Sequence, residues 1–105
     1  MDMVIHAPYC PSGGETLTGD DFMMNCGGKG ANQATAASKL GGNVMMCGRV
    51  GNDQFGTALS QNLQNCGVDT RFVRLAEGVC TGIAMIIVTN GENRIIVDAG
   101  ANACL

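Results

Sequence analysis

The chain has 105 residues, 46% hydrophobic and 14% charged, with six Lys and Arg against nine Asp and Glu and a formal net charge of −3. That length makes one small domain, burying roughly two-thirds of its unfolded surface, and the acidic balance excludes the basic stripe of a nucleic-acid surface. The longest apolar run, residues 83–88, is far short of the about 20 residues that a membrane-spanning helix needs.

Residues 3–5 read as a short buried strand, followed by a loop with Pro8, Pro11, Gly13 and Gly14 that no helix tolerates. Residues 16–18 and 22–25 read as two short extended pieces around a turn at 19–21. From Gly30 the period changes: Ala31, Ala34, Ala37 and Leu40 recur at helical spacing, and Gly41 and Gly42 stop the helix. Residues 44–50 make a second buried strand. Asn52 or Asp53 caps a helix whose Phe55, Leu59 and Leu63 share a face, and Gly67 ends it.

Residues 72–75 form a short strand, and residues 81–88 pair with 94–97 across a turn at 89–93 containing Asn90-Gly91, a favoured hairpin dipeptide. Strand, helix, strand, helix, strand is the rhythm of a parallel sheet with crossover helices, an α/β fold. Cysteines 10, 26, 47, 66, 80 and 104 include no C-x-x-C pair and accompany a single histidine, His6, so neither zinc spacing nor a Cys–His nucleophile is present. They sit in apolar segments without a signal-peptide pattern, which points to reduced thiols in a cytoplasmic protein.

The chemistry concentrates in residues 25–37 (NCGGKGANQATAA), a diglycine turn leading into an alanine-rich helix. Adjacent glycines let backbone approach a ligand closely, and the helix start presents free N–H groups and a positive dipole end. Lys29 adds a charged donor, and Asn32, one turn on, adds both a donor and an acceptor, the combination that sugar hydroxyls require. The competing reading is a plain strand-to-helix turn with a solvated lysine. Gln33 breaks a G-x-G-x-x-G fingerprint, and no Gly-Lys is followed by Ser or Thr, so neither a dinucleotide turn nor a P-loop is present.

This stretch closely resembles the first signature of the ribokinase-type sugar kinases, the phosphofructokinase-B superfamily, with Gly27, Gly28, Asn32, Ala34, Gly41 and Gly51 at the matching spacing. Residues 14–16, 48–56, 67–70, 81–82, 91–93 and 100–102 look like further blocks of that family, in order along the chain. The Lys-Gly-Ala-Asn-Gln variant of the turn is most similar to ribokinases, which favours ribose as substrate. The resemblance implies the N-terminal portion of a ribokinase-like three-layer α/β/α fold spanning 1–105, with a small β-sheet lid from segments near 16–25 and 81–98.

It also implies a sugar site at Asp2, Gly28, Lys29 and Asn32, with Asp2 accepting hydrogen bonds from sugar hydroxyls. The asparagine that precedes this aspartate in the family is absent here. The catalytic base, the nucleotide pocket for ATP, and the Mg2+ and monovalent-cation (K+) sites are implied in the family's C-terminal half, leaving this portion inactive alone. Arg49 and Asp53 are assigned no ligand role, Asp53 being explained as a helix cap.

Along residues 83–88, Ile83, Met85 and Ile87 alternate with Ala84, Ile86 and Val88, so both faces of that strand are apolar. One face is expected to cover the sugar and the other to pair with a second subunit in a homodimer. The rival readings are a non-catalytic sugar-binding or dimerising module and a nucleoside kinase of the same superfamily.

Overall fold

The computed structural model describes all 105 residues as an α/β fold with two sheets. Strand β1 (Asp2–His6) pairs antiparallel with β2 (Asp20–Asn25) on one side and parallel with β5 (Ile83–Thr89) on the other. Strand β6 (Glu92–Asp98) completes the order β2-β1-β5-β6. Between them the chain forms α1 (Lys29–Lys39), β3 (Met45–Gly51), α2 (Gln54–Asn65) and β4 (Asp69–Ala76), with β3 and β4 a parallel pair. A short 3-10 turn, η1 (Gly100–Cys104), follows β6. The expected parallel rhythm is thus realised in β3-α2-β4 and in β1–β5, with antiparallel strands at the edges.

Local chemistry explains the helix ends. Asp53 caps α2, its carboxylate accepting from the Gly56 N–H at 2.8 Å. Gly67, at φ +82°, turns the chain back so that its own N–H reaches the Gln64 carbonyl and the Val68 N–H reaches that of Leu63. Val68 and Leu63 then join Ala34 of α1 in the core, with Val44, Met46 and Val73 packed against them. Both helices therefore lie on the β3–β4 pair.

Four expectations need correction. Residues 16–18 belong to no strand, because β1 is used up when His6 meets Asp20, leaving them nothing to pair with. The expected turn at 19–21 lies partly inside β2 as a bulge: Val4 and His6 face Met23 and Asp20, and the extra residue puts Asp21 at φ +51°. Strand β4 runs 69–76 rather than 72–75, since Asp69 pairs with Met45 across a second bulge. The hairpin loop is tighter than expected, with Thr89 opposite Glu92 and both Asn90 and Gly91 at positive φ, as a type I′ turn requires.

The core is small. The solvent-accessible surface is 6958 Å², against about 5,500 Å² for a compact chain of this mass. The radius of gyration is 15.7 Å, against about 13 Å expected for this length.

Candidate functional site

The two sheets leave a cavity of ≈ 400 Å³ between them, and Asp2, Gly28, Lys29 and Asn32 all line it. Asp2 arrives on β1 and is half-buried, while Gly28, Lys29 and Asn32 come from the start of α1. The volume lies within the about 300–1,000 Å³ usual for small-ligand pockets.

The diglycine serves two separate geometric needs. Gly28 is the residue before α1 and sits at φ +100°, where a side chain would be strained. Gly27 is pressed against Asp2: a Cβ there would lie 2.7 Å from the Asp2 carboxyl carbon and closer still to one of its oxygens. The glycine thereby lets the carboxylate lie over the turn.

No side chain caps α1 and no acidic residue lies in its first turn. The helix start therefore keeps N–H donors without a side-chain partner, and its positive dipole end, at the cavity wall. A carboxylate acceptor, an ammonium donor and a carboxamide that does both converge there. Such a set can bind several hydroxyls of one polyol at once.

The four-stranded sheet supplies further lining. Register places Asn25, Asp2, Ala84 and Val97 in one row across β2-β1-β5-β6, on one face. Asp2, Ala84 and Val97 of that row line the cavity. Arg49 also lines it, although the sequence offered no reason to place it there; its guanidinium donates to the Leu75 carbonyl at 3.3 Å. Asp98 and Asn102 are further lining residues that sequence reasoning did not single out as ligands. The Gly-Ala-Asn block at 100–102 was the available signal.

Asp53 does more than cap α2. Its carboxylate also accepts from the Thr81 hydroxyl at 2.6 Å and the Thr81 N–H at 2.9 Å. Those bonds from Thr81, with that of Gly56, hold its pKa below the usual carboxylate value. His6 lies away from the cavity, beside the hairpin turn. No three His, Cys, Asp or Glu side chains converge in the structure. The six cysteines are unpaired, and no helix is long and apolar enough to cross a membrane.

Residues 2–105 match the family model described as pfkB family carbohydrate kinase. The chain is 44% identical over 102 residues to a ribokinase of Bacillus subtilis, covering 97% of this chain and 35% of that protein. It is 40% identical over 106 residues to a deoxyribokinase of Salmonella typhi, covering 100% of this chain and 35% of that one. The solved structure of Arabidopsis thaliana ribokinase complexed with ribose and ATP superposes with a TM-score of 0.90 at 35% identity, covering 96% of this chain and 33% of that chain. The chain spans about a third of the length of the curated relatives it matches.

Proposed function

The chain belongs to the pfkB family of carbohydrate kinases, and we propose that it carries the sugar-binding part of a ribokinase-like enzyme, one that moves the γ-phosphoryl of ATP to the primary hydroxyl of ribose. The observation that carries this reading is the meeting of Asp2, Gly28, Lys29 and Asn32 around one cavity. In it, the Asp2 carboxylate accepts from two sugar hydroxyls, Lys29 and Asn32 donate to others, and Gly28 lets the backbone come close. Ribose bound in the Arabidopsis relative supports the choice of substrate.

Phosphoryl transfer depends on positioning and on stabilising charge on the transferred group, so sugar binding alone yields no useful rate. On this reading the residues that hold Mg2+ and the monovalent cation belong to the family's C-terminal half. A coupled assay on the pure chain with ATP and ribose is expected to show no turnover; a rate near about one per second would contradict this.

The match to a deoxyribokinase supports a second reading, 2-deoxyribose as the sugar. Calorimetric titration with each sugar separates them. A site using the 2-hydroxyl binds ribose about tenfold or more tightly, for the loss of one hydrogen bond. Equal or reversed affinities favour the deoxy sugar.

The reading includes a cytoplasmic location, supported by the free thiols. It also includes a homodimer through the four-stranded sheet, supported by that sheet's two apolar faces. The row Met24, Met3, Met85 and Ile96 lies on the face away from Asp2, with Met24 51%, Met85 53% and Ile96 74% exposed.

A further inference from the structure

The four-stranded sheet and the β3–β4 body meet at a narrow joint beside the cavity, and one side chain is at its centre. Thr81 is 3% exposed and precedes β5 by a single residue, Gly82. Its hydroxyl accepts from the Gly51 N–H at the end of β3 at 2.8 Å and donates to Asp53 at the start of α2 at 2.6 Å. Its own N–H donates to the other Asp53 oxygen at 2.9 Å. The hydroxyl thus acts as donor and acceptor at once, tying β3 to the start of α2.

The surroundings are built to admit this contact. A Cβ on Gly51 would lie 2.6 Å from the Val79 carbonyl and 2.7 Å from the Cys80 carbonyl carbon. One on Gly56 would lie 3.0 Å from the Thr81 hydroxyl and would collide with the Gly51 carbonyl. The Ala101 N–H reaches the Cys80 carbonyl at 2.8 Å and braces the same segment from η1. Beyond the joint, β5 register puts Ala84 beside Asp2 and Ile83 beside Asp98, and Thr81, Ala84 and Asp2 line the same cavity.

Building on the ribose reading, we propose that Thr81 and Asp53 are positioning residues, a latch that fixes the four-stranded sheet against the β3-α2 body and so sets the width of the sugar cavity. Neither needs to touch the sugar. Their effect is to hold the Asp2 wall at the distance at which one ribose spans it and α1.

The test compares the parent with Thr81→Val, which keeps the shape and removes the hydroxyl, with Thr81→Ser, which restores it, and with Asp53→Asn. In the parent, amides of Gly51 and Thr81 are expected to exchange with solvent at least about a hundredfold slower than in an unstructured chain. In Thr81→Val, the amides of β5 lose protection while those of α2 and β4 keep theirs. The dissociation constant for ribose rises about tenfold, and Thr81→Ser returns it to within about twofold.

Unprotected Gly51 and Thr81 amides in the parent would overturn the latch without recourse to any variant, including a variant that does not fold. Unchanged β5 protection in Thr81→Val and Asp53→Asn would also overturn it, as would an equal loss in β5 and α2, which marks a general structural role. A parent that binds no ribose defeats the sugar reading alone, since the exchange measurements decide the latch independently.

Discussion

At the scale of single residues, Asn32 and Gly27 give the sharpest tests. Asn32 lines an open cavity, so replacing it by Ala strands sugar hydroxyls without creating a buried void. The expected loss is about tenfold in ribose affinity, or ~1.4 kcal/mol. An unchanged affinity in a calorimetric titration removes Asn32 from the site. Gly27→Ala acts at one remove, by pushing aside the Asp2 carboxylate that now lies against it. Ribose binding should weaken by at least as much as in Asp2→Asn, with the helical circular dichroism retained.

Asp53 makes a prediction about acid. Its bonds from Thr81 and Gly56 lower its folded pKa, so its contribution to stability is fully present above the unfolded value of about 3.9 and is lost as pH falls through the lowered folded value. The Tm difference between the parent and Asp53→Asn should therefore be constant near neutrality and shrink in acid, below about pH 4. Asp69, lowered mainly by Arg71, and Glu15, lowered mainly by Ser12, shift the same way in both proteins and cancel from the difference. A Tm difference that grows in acid would contradict the assignment.

At the scale of elements, what could be read in advance depended on how local the cause was. Helix α2 was legible almost to the residue, because its cap at Asp53, its apolar face and its stop at Gly67 all lie within one stretch. The Asn90-Gly91 turn was legible for the same reason. Residues 16–18 and the extent of β4 were not, since each depends on a partner strand: His6 ends the first pairing, and Met45 recruits Asp69 to the second.

The site divides likewise. Gly28, Lys29 and Asn32 share one motif, and Asp2 came through family resemblance; Arg49, Asp98 and Asn102 reach the same cavity from three other elements. Asp53 was legible as a cap but not as the partner of Thr81, a contact spanning 28 positions.

The four-stranded sheet carries the element-scale prediction. Ile96 on β6 is 74% exposed and lies in the apolar row opposite the Asp2 face, so Ile96→Asp should leave the fold intact. If the sheet joins two copies, mass in solution falls from twice 10.8 kDa to a single chain. A dimer that survives both Ile96→Asp and Met85→Asp places the association surface elsewhere.

For the whole molecule, the extended outline and the exposed Phe22, Leu75, Ile95 and Val97 describe a surface that exceeds what a compact chain of this size leaves to water. That surplus, roughly 1,400 Å² over the expectation for a compact chain, accords with a chain spanning about a third of its relatives. The cavity proposed to hold the sugar is nevertheless lined by this chain's own residues, from both sheets and from the helices.

The most direct test of that central claim is amide chemical-shift mapping of the 105-residue chain titrated with D-ribose. The account predicts saturable shifts concentrated at Asp2, at residues 28–32 and at Ala84, all abolished or displaced to higher sugar concentration by Asn32→Ala. Shifts that never saturate, or that saturate at residues remote from this cavity, would contradict it.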